Sequence, residues 1–316
     1  MPISSTIPAH WRATSHAVDV GGEMHYLDFG GPDFGGPDFG GPEGQAPPMV
    51  LVHGLGGSHA NWGLLGPRLA VHNRVYAVDL VGFGLTHPDG RSGAVRANAG
   101  LLAAFLQHVV GVPAILVGNS MGGMISMIHA AAHPESVVGL VLLDPALPRA
   151  PHAPSDRQVA STFAQYAIPG IGERLLAKRR RTTPPRQLVM DTLALCSPNP
   201  AVVPPDMIDA AVALIDARAD AAGLDHAYLQ AARSLLRFGA GRSRYNAMMR
   251  GLPMPVLLLH GEKDRLVPVE SARAAAANAP HWTFETFPNV GHVPMMEIPD
   301  IIDDRIQKWT AANGVV

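Results

Sequence analysis

Short runs of consecutive apolar residues recur along the sequence, each bounded by glycine, proline or a charged side chain. Because the apolarity of these runs is continuous rather than alternating, they predict strands buried on both faces, as in a mostly parallel sheet covered by helices. The segments between them have a helical pattern. The five runs cover residues 49–53, 75–80, 114–117, 138–144 and 256–260.

The two ends of this pattern carry further elements. Residues 17–20 and 24–29 flank a glycine-rich turn and predict an antiparallel hairpin at one edge of the sheet. Residues 282–287 predict a last strand, and residues 299–311 predict a terminal helix. The whole pattern therefore predicts an α/β fold with a mostly parallel central sheet flanked by helices.

A short repeat interrupts the pattern between the hairpin and the first buried strand. Residues 29–43 read FGGPD, FGGPD and FGGPE, and their glycine and proline density disfavours regular structure. We interpret the repeat as an expansion of a surface loop. The alternative, a binding arm, is favoured only by the regular spacing of Phe29, Phe34 and Phe39.

A longer departure begins near Leu147 and ends near Gly239, where the strand patterns stop and the chain becomes rich in Ala, Leu and Arg. Residues 205–217 and 228–238 predict helices within it. The basic run KRRR at 178–181 is typical of a solvated helix end, with a site for an acidic substrate as the alternative. We therefore divide the chain into a first part of the catalytic core (1–146, including the repeat loop), an inserted helical cap (147–239) and a second part of the core (240–316).

The strongest chemical signal is the string GNSMG at residues 118–122, followed by Gly123. A strand pattern precedes it and a helical pattern follows it, which is the strand–turn–helix setting of a nucleophile elbow. The flanking glycines suit so sharp a turn, because a bulky side chain would not fit there. The turn would place the hydroxyl of Ser120 at a helix N-terminus, whose dipole favours developing negative charge. Ser120 is therefore the predicted nucleophile.

A serine hydroxyl needs a base to take its proton, and the base needs a carboxylate to orient it. The predicted base is His292, which follows a glycine in the loop between the last strand and the last helix. The predicted acid is Asp264, which follows the strand at 256–260 and so lies at the same edge of the sheet. Asp144, at the end of another strand, is the first alternative acid, and Glu262 is the second.

Acyl transfer also needs hydrogen-bond donors aimed at the developing oxyanion. One predicted donor is the backbone N–H of Met121, directly after the nucleophile, and the side chain of Met121 is expected to face the pocket. The other is the N–H of Leu55 in the turn HGLGG at 53–57, where Gly54 is expected to line the substrate site. This turn lacks the lysine and the spacing of a phosphate-binding loop.

Three other polar residues have structural interpretations. Asp79 is expected to stabilise its own loop. His129 and His133 have a spacing that could bind a metal, but no acidic general base lies between them, so packing and helix termination are favoured. No metal or organic cofactor is predicted.

Composition narrows the function classes. Of 316 residues, 47% are hydrophobic, which excludes a disordered chain. The 24 basic and 26 acidic side chains give no electrostatic reason to expect nucleic acid or an anionic membrane as partner. The single cysteine, Cys196, cannot form an internal disulfide. With neither a secretory leader pattern nor an apolar run of membrane-spanning length, we expect a cytoplasmic protein without integral membrane association.

Five motifs occur in order along the chain: HGLGG, DLVGFG, GNSMGG, GEKDRLVP and NVGHVPMMEIP. Together they resemble the α/β-hydrolase superfamily in its capped, single-domain form, in which the triad follows the chain order serine, aspartate, histidine. A serine at position 120 distinguishes the chain from haloalkane dehalogenases and epoxide hydrolases, which have aspartate there. The resemblance therefore implies an α/β-hydrolase fold with an inserted cap and a cofactor-independent serine hydrolase.

Within the superfamily, some residues resemble the carbon–carbon bond hydrolases and one residue departs from them. GNSMGG together with Asn61 is similar to the hydrolases that cleave carbon–carbon bonds in ring-fission products, whereas Val293 stands where those enzymes often have tryptophan. We expect Asn61 and Val293 to contact the substrate. The arginine that binds a substrate carboxylate in those enzymes would lie in the cap, where the candidates are Arg174, Arg179, Arg180, Arg181 and Arg186.

These resemblances imply a carboxylesterase acting on a hydrophobic small-molecule ester, because an apolar cap covers an apolar pocket. Hydrolysis of 2-hydroxy-6-oxo-dienoate ring-fission products is the second interpretation, and perhydrolysis would be a side activity. The third is a non-catalytic receptor that keeps the hydrolase fold to bind a small molecule. The sequence is compatible with a homodimer and does not determine the oligomeric state.

Overall fold

The computed structural model describes residues 7–32 and 46–315. Most of the FGGPD repeat, including Phe34 and Phe39, lies outside the described residues, so the interpretation of the repeat stays a prediction. Within the described residues the strands are β1 (Thr14–Asp19), β2 (Glu23–Asp28), β3 (Met49–Val52), β4 (Val75–Val78), β5 (Ala114–Asn119), β6 (Val137–Leu143), β7 (Val256–Gly261) and β8 (Thr283–Phe287).

Helices flank these strands and fill the interval between β6 and β7. They are α1 (Gly66–Leu69), α2 (Val95–Phe105), α3 (Met121–Ala132), α4 (Arg157–Ala167), α5 (Ile171–Thr182), α6 (Pro185–Cys196), α7 (Pro205–Ala217), α8 (Leu224–Ala240), α9 (Arg242–Arg250), α10 (Val269–Asn278), α11 (Pro294–Glu297) and α12 (Pro299–Ala312).

The strands form one sheet in the order β1-β2-β4-β3-β5-β6-β7-β8. The hairpin β1–β2 is antiparallel and joins β4 in antiparallel fashion, whereas the pairs from β4 to β8 are parallel. The prediction of a mostly parallel sheet with helices around it is therefore confirmed, and the predicted hairpin forms its edge. Because β5 lies in the middle and its carboxyl end continues into α3, the chain places Ser120 near the centre of the sheet edge.

Hydrophobic residues from both faces of the sheet account for the continuous apolar runs. In β3, Val50 and Val52 belong to a buried cluster on one face, and Met49 and Leu51 belong to a second cluster on the other face. This alternation follows the two-residue period of a strand. Residues of α2, α3, α9 and α10 complete the first cluster, and residues of α1, α7, α11 and α12 complete the second.

The predicted cap corresponds to helices inserted between β6 and β7. Among them α4, α5 and α8 pack together, and α6 packs on α7. Helix α9 packs instead on α3 and α10 of the core. The boundary predicted at residue 239 lies one residue before the end of α8, and the treatment of 147–239 as a separate domain stays a prediction.

No helix in the described part of the chain combines the length and apolarity needed to cross a membrane.

Candidate active site

Ser120 occupies a strained turn between β5 and α3. Its backbone has φ 53° and ψ −117°, outside the regions that L-residues ordinarily adopt, and its N–H donates to Leu143 O at 3.1 Å. Strain of this kind persists only where the surrounding structure enforces it, and it concentrates at functional sites. The turn leaves the Ser120 side chain half-buried at the start of α3.

Two glycines permit this turn because the chain approaches itself closely there. A Cβ on Gly122 would lie 2.0 Å from Val52 O, and a Cβ on Gly118 would lie 2.7 Å from Gly122 O. Backbone atoms cannot move aside as the end of a flexible side chain could. The strand β5 runs two residues further than predicted, to Asn119, because Gly118 remains in the ladder opposite Leu142 of β6.

His292 and Asp264 are brought together at the same edge of the sheet. His292 Nδ1 lies 2.7 Å from Asp264 Oδ2, and both residues are buried. The other oxygen of Asp264 accepts the N–H groups of Leu266 and Val267 at 2.8 and 3.0 Å. Burial by itself raises the pKa of Asp264, but His292 and these hydrogen bonds outweigh it and hold the pKa below its usual value. The carboxylate is therefore ionised and can orient His292.

The alternative acids make other contacts. Asp144 accepts the N–H of Gly261 at 2.8 Å. Glu262 accepts from Thr286 Oγ1 at 2.9 Å and from Arg273 Nη2 at 3.0 Å. The geometry thus pairs His292 with Asp264 rather than with either of them.

Asp79 binds within its own neighbourhood, as expected. It accepts hydrogen bonds from the rings of His25 and His59 at 2.7 Å each and from the N–H of Leu85 at 2.8 Å. Burial raises the pKa of Asp79, but the two histidines and the hydrogen bonds lower it well below the usual value. Asp79 is consequently a buried anion that ties β2, the turn at residue 59 and the DLVGFG loop together.

Three residues that the sequence analysis did not assign hold the His292 loop. The N–H of His292 donates to Cys196 O at 2.6 Å, and the Asn119 amide donates to His292 O at 2.9 Å. Glu297 accepts the N–H groups of Gly291 and Val293 at 3.0 and 3.3 Å. Asn119 and Glu297 lie inside recognised motifs, so the motifs contained a signal for them. No sequence motif pointed to Cys196 at the end of α6, because only its backbone oxygen contacts the His292 loop.

The predicted oxyanion turn packs directly against Ser120. A Cβ on Gly54 would lie 2.9 Å from Ser120 Cβ, so only glycine allows this approach. His53 holds the turn through Nδ1, which lies 2.7 Å from Gly54 O, and through Nε2, which accepts the N–H of Leu80 at 3.1 Å. Burial lowers the pKa of His53 to about 4, so the ring is neutral and its Nδ1 is the donor.

Met121 departs from one expectation. Its N–H is the first of α3 and has no partner within the helix. Its side chain, however, is fully buried in the hydrophobic cluster between α2, α3 and the sheet, and does not face the pocket as expected. The rotation of α3 against the sheet sets this direction, and a sequence motif does not specify that rotation.

A cavity of about 380 Å³ opens above these residues. Six of the predicted site residues line this cavity: Gly54, Leu55, Asn61, Ser120, His292 and Val293. The amide of Asn61 is already engaged, because its oxygen accepts the N–H of Ser58 at 2.8 Å and its nitrogen lies 3.6 Å from Met296 Sδ. Asn61 therefore shapes the cavity wall and caps a short helix at the same time.

The cap contributes most of the remaining lining, and its contribution is mainly apolar. These residues include Leu147, Val159, Phe163, Tyr166, Leu195, Tyr228, Leu235 and Leu236. A second cavity of about 470 Å³ adjoins the first, since both are lined by Leu55, Gly56, Tyr166, Arg179, Thr192 and Tyr228. The site thus has two lobes. The first lobe is the apolar cavity at Ser120, and the second lobe is the cavity of about 470 Å³ under the cap.

The candidate cap arginines are distributed around this second lobe and the surface. Arg179 lines both lobes and Arg180 lines the second. Arg186 is exposed and pairs with Asp209 at 2.6 Å, whereas Arg174 and Arg181 are exposed on α5. Arg218, which the sequence analysis did not include, also lines the second lobe and donates to Gly82 O.

In the part of the chain that the structure describes, two groups of buried side chains combine histidine and aspartate at close range: His25, His59 and Asp79, and Asp144, His260 and Asp264. The first group is held by the hydrogen bonds of Asp79 described above. His129, considered as a ligand from its spacing, instead lies 2.8 Å from Ser136 Oγ through Nε2, and burial lowers its pKa to about 4.

Comparison with known proteins identifies the family of this fold. The family model of the α/β hydrolase fold matches residues 47–299. The pimeloyl-[acyl-carrier protein] methyl ester esterase of Xanthomonas campestris pv. campestris is 28% identical over 278 residues, which cover 85% of this chain and 97% of the esterase. The 2-hydroxymuconate semialdehyde hydrolase of Pseudomonas sp. (strain CF600) is 28% identical over 263 residues, covering 79% and 82%.

Solved structures share the fold at lower identity. A haloalkane dehalogenase variant from Bradyrhizobium elkanii superposes with a TM-score of 0.77 at 21% identity, covering 96% of this chain and 97% of the dehalogenase. The naproxen esterase of Bacillus subtilis has a TM-score of 0.67 at 21% identity, covering 94% and 91%. Similarity at this level of identity shows the fold alone, so the chemistry rests on the site residues.

Proposed function

Because the chain belongs to the α/β-hydrolase family, we propose that it is a serine hydrolase that cleaves hydrophobic carboxylic esters through an acyl-enzyme on Ser120. One observation carries this proposal: the strained Ser120 and His292, whose ring is hydrogen-bonded to Asp264, line the same apolar cavity. A relative that is a methyl ester esterase supports ester hydrolysis as the activity.

In the proposed mechanism His292 Nε2 takes the proton of Ser120 as Oγ attacks the ester carbonyl. Asp264 accepts from His292 Nδ1 and stabilises the imidazolium that forms. The N–H groups of Leu55 and Met121 stabilise the oxyanion. His292 then gives its proton to the leaving alcohol. In the second half a water molecule, deprotonated by His292, attacks the acyl-enzyme, and His292 returns the proton to Ser120 Oγ as the acid is released. The chain's own side chains supply every proton transfer in this scheme.

A chain-length series of p-nitrophenyl esters tests this proposal. We expect kcat/KM to rise with acyl length, because each added methylene buries apolar surface, and then to fall when the acyl chain exceeds the cavity of about 380 Å³. Steady-state rates measured beside one 2-hydroxy-6-oxo-dienoate compare the two bond types. Absence of turnover on every ester, with the dienoate cleaved, would contradict the ester assignment.

Hydrolysis of a carbon–carbon bond in a carboxylate-bearing substrate is the second candidate function, and Arg218 is the observation that favours it. The guanidinium has five N–H donors in a planar fork. It donates to Gly82 O, and its half-buried side chain lines the second lobe. Burial lowers the pKa of Arg218, while the charge of Asp79 opposes this.

Within the described residues, no carboxylate lies within ion-pair distance of Arg218. A guanidinium that loses water without gaining an anion is destabilised, so a substrate carboxylate in the second lobe would satisfy it. A 28%-identical relative that is a 2-hydroxymuconate semialdehyde hydrolase supports this candidate. Arg179, whose Nη2 lies 3.5 Å from Asp191, lines the same lobe and would be a second cationic contact.

Arg218→Met tests the second lobe as a carboxylate site. We expect kcat/KM for the dienoate to fall about 10- to 100-fold, because a charge-assisted hydrogen bond is lost, while a neutral p-nitrophenyl ester changes less than about threefold. Arg181→Met, an exposed arginine on α5, is the matched control and should leave both rates unchanged. An equal loss on both substrates would show instead that Arg218 acts only by holding the loop at Gly82.

A further inference from the structure

A cluster of buried polar side chains lies behind the His292–Asp264 pair. Asp144 directly follows β6, His260 belongs to β7, and Asp264 follows β7 in the next turn. Asp144 and His260 are 0% exposed and Asp264 is 7% exposed. One ligand atom from each of the three lies within 4.8 Å of the others. The proposed mechanism uses Asp264 alone, so the presence of a second buried carboxyl beside it needs an explanation.

The hydrogen bonds around Asp144 account for only one of its oxygens. Oδ1 accepts the N–H of Gly261 at 2.8 Å. Among the described residues Oδ2 receives no N–H or O–H group, although it is buried. The neighbouring carboxyl group is that of Asp264, with one oxygen of each residue lying within 4.8 Å of the other. Two ionised carboxylates are both acceptors only, so a hydrogen bond between them requires one proton.

The surroundings decide which carboxyl holds that proton. Asp264 accepts two backbone N–H groups and faces His292, so its charge is well compensated. Asp144 accepts one N–H, and burial together with the charge of Asp264 raises its pKa well above the usual value. The proton therefore belongs to Asp144, since the site with fewer donors is the one where ionisation is least favourable.

The remaining charged groups around Asp144 do not supply a counter-charge. His260 Nε2 lies 3.5 Å from Asp144 Oδ1 and 3.6 Å from Asp264 Oδ2, and it donates to Val267 O at 2.8 Å. Burial lowers the pKa of His260, so its ring is neutral. Glu297, which holds the His292 loop, raises the pKa of Asp144 further.

We propose that Asp144 is a positioning residue that carries a proton in the native state and donates a hydrogen bond from its carboxyl group to the carboxylate of Asp264. This bond would restrain the Asp264 carboxylate in line with His292 Nδ1 and leave a single negative charge behind the histidine. Asp144 does not touch the substrate, and its proton stays in place during the reaction. The inference rests on the proposed function for its catalytic consequence, but the protonation state can be measured without any substrate.

The first test uses Asp144→Asn, because asparagine can keep both hydrogen bonds and cannot ionise. In the wild-type chain the unfolded state loses the Asp144 proton above its usual pKa, whereas the native state keeps it. The native state therefore binds one more proton, and wild-type stability falls as pH rises. We divide the unfolding constant of the wild type by that of Asp144→Asn. This ratio is expected to increase with pH, by at most about tenfold for each pH unit between pH 5 and 7.

Urea unfolding at several pH values measures this ratio. Asp220→Asn, the same substitution at an exposed position of the cap, is the matched control and should give a ratio that does not change with pH. An infrared spectrum adds a direct signature, because the C=O stretch of a neutral buried carboxylic acid should be present at pH 7 and absent in Asp144→Asn. A ratio independent of pH, or a band that persists in the variant, would overturn the assignment of the proton to Asp144.

The second test asks whether Asp144 positions Asp264. The rate of Ser120 labelling by a fluorophosphonate reports the nucleophile without depending on the natural substrate. We expect Asp144→Asn to label within about threefold of wild type and Asp144→Leu, which cannot donate, to label about 10- to 100-fold more slowly. Wild-type labelling by a folded Asp144→Leu would overturn the positioning role. If the leucine variant does not fold, the stability ratio and the infrared band of Asp144→Asn still decide the protonation.

These measurements separate the two proposals. Failure of wild-type Ser120 to label would contradict the serine hydrolase assignment, whereas the unfolding ratio and the infrared band would still report on Asp144. Conversely, normal labelling with a pH-independent ratio would leave the esterase proposal intact and remove this one.

Discussion

Replacing Ser120 by alanine is expected to lower kcat on every ester of the series by about 10⁴-fold or more, with the fold retained. The hydroxyl is the group that forms the acyl-enzyme in the proposed mechanism, so its removal leaves only the binding and oxyanion contributions. Alanine is smaller than serine and adds no clash to the turn at φ 53°. Circular dichroism and the urea midpoint check that the loss is chemical rather than structural.

Ser126→Ala is the matched control for this experiment. Ser126 lies six residues further along α3, is buried, and its hydroxyl has no hydrogen-bond partner among the described residues. We expect its removal to leave kcat unchanged, since no hydrogen bond is lost. If Ser120→Ala kept near-normal turnover, the nucleophile assignment and the acyl-enzyme mechanism would both be wrong.

Asp264→Asn is expected to lower kcat about 10³- to 10⁴-fold. The carboxylate of Asp264 holds His292 through Nδ1 at 2.7 Å and compensates the imidazolium that forms when the histidine takes a proton. A neutral amide removes that compensation and can present its NH₂ group to Nδ1, which favours the wrong tautomer. The kcat and KM values of the same esters measure the effect, and KM should change little because Asp264 does not line the cavity described above.

Glu262→Gln provides the comparison for this second prediction. Glu262 lies in the same turn but binds Thr286 and Arg273 at its other side, so we expect kcat within about twofold of wild type. Near-normal activity of Asp264→Asn together with a large loss in Glu262→Gln would mean that the carboxylate has been assigned to the wrong residue.

The sheet and the turn at Ser120 were predictable because they depend on residues that are adjacent in the sequence. Continuous apolar runs marked β3 to β7 to within two residues at each end, since a strand buried on both faces must be apolar at every position. The turn at Ser120 was predictable for a similar reason. Gly118 and Gly122 are required by contacts within a few residues of the serine and with the end of β3.

The partners of His292 were only partly predictable. Chain order and strand ends placed Asp264 and Asp144 at one edge of the sheet, but the sequence could rank them only as first choice and alternative. The tertiary structure separates them, because the turn after β7 aims Asp264 at His292 while the end of β6 aims Asp144 at Gly261.

The sequence by itself determined the fold class, the strained turn at Ser120 and the set of residues that could complete the site, since local steric demands and apolar periodicity are encoded in neighbouring positions. The tertiary structure alone decided the contacts between distant segments. It brought Cys196 of the cap to the His292 loop, turned the Met121 side chain into the core and placed Arg218 in the second lobe. Such contacts depend on how helices are rotated and docked, and many sequences satisfy the same docking, so a single sequence does not reveal them.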